Sequence, residues 1–124
     1  MALTRLKKKI LIVEDHPDLV NFYKQVAILL GCDSIVAMTG KQAVDVAVAE
    51  LPDLILLDIM LPEMDGLEAA RRIRKNAKAA SIPILVLTGV TYKDEEIRQC
   101  GCNDYIVKPF TVNHLVSRIK KLLK

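Results

Sequence analysis

Aromatic side chains are nearly missing from this chain of 124 residues, which has no Trp, two Phe and three Tyr. Proteins that hold single-stranded nucleic acid do so by stacking bases on aromatic faces set among basic residues. The basic clusters here (Arg5 with residues 7–9, then 71–78, then 118–124) contain no aromatic residue, and no helix-turn-helix pair accompanies them. They read as solvated surface, and no direct nucleic-acid partner is expected despite a net charge of +3. Cysteine is also scarce. Three residues, an odd number, make no disulfide framework, so free thiols in a reducing compartment, the cytoplasm, are expected. No apolar run is long enough to cross a membrane, and "MALTRLKKKI" lacks the apolar stretch and cleavage site of a signal peptide. Repeats, low-complexity tracts and linkers are absent too. The expectation is a single domain over 1–124, with 1–7 a loose N-terminal extension.

Aliphatic residues are what the chain has: 52% of it is apolar. They fall in short runs that alternate with amphipathic stretches. Strands are expected at Ile10 to Val13, at "SIVAM" (34–38), at Leu54 to Leu57, at "ILVLTG" (84–89) and at "DYIVKPF" (104–110). Helices are expected at 17–30, 40–50, 66–75, 92–100 and 112–123, the fourth being the most polar. Gly31 stands where a C-cap glycine belongs. Leu19, Phe22, Val26 and Leu29 form the inward stripe of the first helix, and the third is basic on its outer face. Continuous apolar strands separated by helices imply an α/β fold, a parallel sheet covered on both faces.

In such sheets ligands meet the carboxyl ends of the strands. Those ends carry Glu14 and Asp15, then Asp58, then Thr88 and Gly89, and finally Lys108. Acids gathered on one rim repel, and a divalent cation relieves them; an all-oxygen site suits Mg²⁺, or Mn²⁺, better than zinc. A cation opposite Lys108 makes a cradle for a phosphoryl group, with the Thr88 hydroxyl and Gly89 N–H beside it and Asp58 as nucleophile. Singly, each residue reads as a helix cap or surface group; their convergence favours a site.

The stretches "LIVEDH", "PDLILLDIMLPEMDG", "PILVLTG" and "GCNDYIVKPF" stand in the order and spacing of one family. From Lys8 to Leu123 the chain resembles the receiver domain of bacterial two-component response regulators, of the stand-alone chemotaxis-regulator type. The resemblance implies a flavodoxin-like, doubly wound, five-stranded parallel sheet of order 2-1-3-4-5 with five helices. It implies that Asp58 accepts a phosphoryl group from a histidine kinase or a histidine phosphotransfer protein. Mg²⁺ would lie on Glu14, Asp15, Asp58 and the backbone carbonyl of Met60. Thr88 would be the switch hydroxyl, Lys108 the paired lysine, Tyr105 the switch aromatic, and Lys108-Pro109 a cis peptide. Output would pass to a downstream protein at the face of helix 4, strand 5 and helix 5. Such a chain is a signalling phosphoacceptor and not an enzyme, catalysing only its own phosphorylation and slow autodephosphorylation.

Met60 and Val90 depart from the best-known chemotaxis form, where polar groups often flank the route of the hydrolytic water; two apolar side chains there imply a long-lived phosphoryl-aspartate. A dehalogenase-like phosphatase would want a second Asp where Met60 stands. A docking module with vestigial phosphorylation is a third reading, and a receiver excised from a longer protein a fourth. His16 and His114 read as turn and surface residues, Cys100 and Cys102 as packing residues, Asp65 and Gly66 as the start of the third helix, and Pro62 as shaping the loop beside the site.

Overall fold

The computed structural model describes residues 7–61, 64–92 and 94–124 and runs strand, helix, strand, helix along them. The strands are β1 (Lys9–Val13), β2 (Asp33–Ala37), β3 (Leu54–Asp58), β4 (Ile84–Thr88) and β5 (Asp104–Val107). The helices are α1 (Pro17–Leu29), α2 (Gly40–Glu50), α3 (Gly66–Lys75), α4 (Asp94–Gln99) and α5 (Val112–Leu122). All neighbouring strands pair in parallel, in the order β2-β1-β3-β4-β5. The expected sheet order and helix number are therefore what the fold has. Residues 1–6 of the expected extension, and Pro62 in the loop, lie outside the described residues.

Alternation along each strand sorts its side chains into two layers. Leu11, Val13, Ile55, Leu57 and Val86 face α2, α3 and α4. Ile10, Ile12, Leu54, Leu56 and Leu87 face α1 and α5. β3 and β4 are buried along their whole length, which is why they are so apolar, whereas β2, at the edge, is half-exposed. Fully buried alanines (Ala43 and Ala47 of α2, Ala69 and Ala70 of α3) let these helices lie close to each other and to the sheet. That is how a core is filled with hardly any aromatic residue.

Local chemistry sets the ends of the helices. Gly31 takes φ +71, and Gly31 N–H and Cys32 N–H donate to the Ile28 and Ala27 carbonyls, closing a Schellman turn after α1. Thr39, Asp65 and Thr111 cap α2, α3 and α5 by accepting the amides of Gln42, Glu68 and His114.

Three readings need correction. The buried stripe of α1 is Tyr23, Val26 and Ala27, while Leu29 is 70% exposed. At about 100° per residue, a stripe centred on Tyr23 and Ala27 turns Leu29 outward. Arg74 does not belong to the outer face of α3. Its guanidinium donates to the Gly101 carbonyl at 2.7 Å, to the Asn103 side-chain carbonyl at 3.0 Å and to the Ala79 carbonyl at 3.4 Å, tying α3 to the turn before β5. Finally, α4 has six residues, from Asp94 to Gln99, shorter than the 92–100 expected.

Candidate functional site

β3 runs through the middle of the sheet and ends on Asp58, so its last residue reaches the rim with a carboxyl that is still 95% covered. The loop beyond turns back tightly. Gly66 N–H donates to the Ile59 carbonyl, and a Cβ on Gly66 would lie 2.5 Å from the Asp58 carbonyl oxygen. Glycine is required there because backbone passes against backbone. Asp65 caps α3 one residue earlier, so "MDG" both starts that helix and folds the loop over the strand end.

Asp58 is held from two sides. Its Oδ1 accepts the Met60 amide at 2.8 Å and its Oδ2 accepts Lys108 Nζ at 2.9 Å. Lys108 follows β5, its own amide donates to the Thr88 carbonyl at 2.6 Å, and its bond to Pro109 is cis. Glu14 follows β1, and its Oε2 accepts the amides of Asp15 at 3.1 Å and His16 at 3.2 Å. Its Oε1 is buried and accepts no hydrogen bond; Lys108 Nζ stands 3.9 Å away.

Two acids and one lysine in a half-buried corner cannot all be comfortable. Burial, and then the Asp58 carboxyl beside it, push the Glu14 carboxyl up to about 7. Burial alone would raise Asp58 as well, but the neighbouring Glu14 carboxyl and the hydrogen bonds from Lys108 and the Met60 amide outweigh it and hold that carboxyl below the usual range. Charge is in excess on the acidic side, and a small hard cation would remove the conflict.

The fit to such a cation rests on the orphaned Glu14 Oε1 and on the chemistry of the donors, which are carboxylate oxygens and a carbonyl. Among the described residues no three His, Cys, Asp or Glu side chains form a cage by themselves. Oxygen donors of this kind suit Mg²⁺, which takes one or two carboxylates and keeps several waters.

Glu14, Asp15, His16, Leu19, Asp58, Met60, Gly89 and Lys108 line one cleft of about 350 Å³. Six of the expected site residues thus share it. His16 and Leu19, read as a turn and a core residue, line it as well; helix position alone carries no sign of that. Thr88 and Tyr105 are not brought into it. Thr88 is buried, and its hydroxyl donates to the Val90 carbonyl and accepts the Val90 amide, both at 3.1 Å. Strand alternation sends Thr88 and Tyr105 to the α4 side of the sheet, opposite the face on which Glu14 and Asp58 continue the line of Ile12 and Leu56. The Tyr105 hydroxyl donates to the Tyr92 carbonyl at 3.0 Å. Gly89 is exposed, and a Cβ added there would meet nothing within 4 Å, so no clash demands glycine there. Met60 is 80% exposed at the mouth of the cleft, and Val90 is 58% exposed beside it in sequence from Thr88.

Comparison with known proteins gives one consistent answer. The family model described as "Response regulator receiver domain" matches residues 10–120. The polar-differentiation response regulator DivK of Brucella ovis is 35% identical over 120 residues, covering 95% of this chain and 98% of that protein. The DNA-binding dual master transcriptional regulator RpaA of Synechocystis and the alkaline phosphatase synthesis transcriptional regulatory protein PhoP of Bacillus subtilis are each 37% identical. This chain spans about half the length of those two (49% and 50%), covering 94% and 96% of itself. Among solved structures, the receiver domain of the sensor histidine kinase PA1611 from Pseudomonas aeruginosa, with magnesium coordinated in its active site cleft, matches at TM-score 0.86 and 33% identity, over 94% of this chain and 98% of that one. The chemotaxis response regulator CheY4 of Vibrio cholerae matches at TM-score 0.88 and 27% identity, over 94% and 99%.

Proposed function

This chain belongs to the response regulator receiver domain family, a family of two-component signalling domains, and on that premise we propose that Asp58 is its phosphoacceptor. The observation that carries the proposal is the Asp58 carboxylate itself: buried at the end of the central strand, bonded to Lys108 and the Met60 amide, beside a buried acid with a free oxygen.

An Asp58 oxygen attacks the phosphorus of a phosphohistidine on a histidine kinase or phosphotransfer protein. The O–P bond forms as the N–P bond breaks, and the donor imidazole leaves with that electron pair. The product is an acyl phosphate. Lys108 is placed to neutralise charge on the transferred group, and the Gly89 amide is free to donate to it. Glu14, Asp15, Asp58 and the Met60 carbonyl would hold Mg²⁺, with Mn²⁺ tolerated by the same oxygens; when bound, the metal supplies charge neutralisation at the phosphoryl oxygens. In the phosphorylated state the Thr88 hydroxyl exchanges Val90 for the phosphoryl group, and Tyr105 adjusts on the same side of the sheet. A downstream protein reads the result at the face of α4, β5 and α5, where Asp94, Asp104, Tyr105, His114 and Arg118 line a groove of about 520 Å³. The change is a shift between existing populations.

The 124 residues act as one receiver unit, a phosphoacceptor and not an enzyme acting on other molecules. Among the described residues no helix is long and apolar enough to cross a membrane. With three free, buried thiols we place the domain in the cytoplasm. Met60 at the cleft mouth, with Val90 after the switch threonine, offers no polar handle to a hydrolytic water, so the phosphoryl-aspartate is long-lived; decay within seconds would refute that. The central experiment is incubation with a small phosphodonor and Mg²⁺, read by intact mass. Wild type should gain one phosphoryl group and Asp58→Ala none. An unlabelled wild type, or a fully labelled variant, would sink the assignment.

A further inference from the structure

Tyr23 stands out in a chain with so few aromatics. It is 1% exposed, among the largest fully buried side chains, and its hydroxyl has no hydrogen-bond partner. A buried hydroxyl without a partner costs about 1–3 kcal/mol, and Phe would fill the same space without that cost. Nothing in the packing of α1 asks for the oxygen: Tyr23 lies in the layer of Ile12, Leu56 and Leu115, against Phe22 with ring centroids 5.4 Å apart.

Geometry says where the oxygen points. α1 starts at Pro17, beside the cleft, and runs away from it. Helical side chains lean towards the N-terminus of their own helix, over the preceding turn. The residue one turn before Tyr23 is Leu19, which lines the cleft. Tyr23 therefore reaches back beneath Leu19 towards the rim. On the sheet, Glu14 and Asp58 follow Ile12 and Leu56 in the alternation, so they project on the same face that α1 covers. The other buried side-chain oxygen without a partner among the described residues is Glu14 Oε1. One group is a donor and the other an acceptor, and both are aimed at the same corner. Burial, with the negative charges of Glu14 and Asp58 adding to it, pushes the Tyr23 phenol well above its ordinary range, so it keeps its proton.

We propose that Tyr23 is a positioning residue for the metal-binding acids: through one bridging water its hydroxyl donates towards Glu14 Oε1 and holds that carboxylate in the rotamer from which it meets the cation. A polar corner with a phenol, a carboxylate oxygen and the nearby Lys108 ammonium has the partners that a buried water needs. The role parallels the outer hydrogen bonds that orient metal ligands elsewhere. It rests on the reading of Glu14 and Asp58 as cation ligands.

The test is Tyr23→Phe in the full chain, with Mg²⁺ affinity measured by calorimetry and thermal stability measured in EDTA. The Mg²⁺ dissociation constant should rise about tenfold, while the melting temperature in EDTA stays level or rises. Unchanged Mg²⁺ affinity, the result for a side chain that only packs, overturns the inference whichever way the melting temperature moves. As a second measurement, wild type carrying 3-fluorotyrosine should show a fluorine resonance, the one lost in Tyr23→Phe, that moves on Mg²⁺ addition. A resonance that stays fixed while Mg²⁺ binds overturns the inference and leaves the site reading intact. Wild type that binds no Mg²⁺ at all sinks the site reading, and this inference with it.

Discussion

The two faces of the sheet share one set of strands and do different work. On the α1 and α5 face, the apolar line of Ile12 and Leu56 ends in Glu14 and Asp58, so burial runs straight into charge, and the unpartnered Tyr23 phenol lies in the same layer. On the α2, α3 and α4 face, β4 ends in Thr88 and β5 carries Tyr105, neutral groups whose hydroxyls are satisfied by the Val90 and Tyr92 backbone. The first face holds electrostatic conflict that a ligand can relieve. The second holds small polar contacts that can be exchanged at little cost. Alternation along a strand is enough to separate the charged rim from these neutral contacts by the thickness of one sheet.

That division can be broken by experiment. Lys108→Ala should slow labelling of Asp58 by a small phosphodonor about a hundredfold, the usual loss when one preorganised charge donor goes. A rate within threefold of wild type would mean that the rim charges do not carry the chemistry. On the opposite face, Arg74→Ala removes three hydrogen bonds and should lower unfolding stability by about 3 kcal/mol in urea titrations. Its labelling rate per folded molecule should be unchanged; a large fall would couple the faces.

The acid conflict predicts a pH effect. The Glu14 carboxyl, pushed up to about 7 from 4.5, contributes stability that is complete below 4.5 and lost as pH rises through 7. Asp58, held low, runs the other way and loses its contribution only as pH falls through the acid range. Glu14→Gln should therefore melt higher than wild type at pH 8 in EDTA, by about 2 kcal/mol, and show no advantage at pH 5. Saturating Mg²⁺ should close the gap at pH 8 by stabilising wild type. The smallest effect belongs to Tyr105→Phe, which loses one partly buried hydrogen bond to Tyr92. About 0.5–1 kcal/mol in stability is expected, with labelling of Asp58 unchanged; slowed labelling would contradict the separation of the faces.

Much of this was legible in the linear chain. Five aliphatic runs, four of them ending in acids, a threonine or a lysine, announced a parallel sheet with a charged rim, because only strands buried on both faces are so uniformly apolar. Gly31 and Asp65 marked helix ends through chemistry confined to a few neighbouring residues. Less legible was anything that depended on rotation about a helix axis. Leu29 and Arg74 were misread because a one-residue shift turns a side chain by about 100°, and only the contacts of α1 with β1 and β2, and of Arg74 with the turn before β5, say which shift holds.

The sequence by itself therefore determined the layers and the residue types at the rim, which follow from local propensity and periodicity, while the strand order came from the family resemblance. Tertiary structure alone decided the rest: that Lys108 pairs with Asp58 at 2.9 Å across fifty positions, and that one oxygen of Glu14 and the hydroxyl of Tyr23 are buried without a partner. Those are matters of distance and burial between segments far apart in the chain, and only packing brings them within reach of each other.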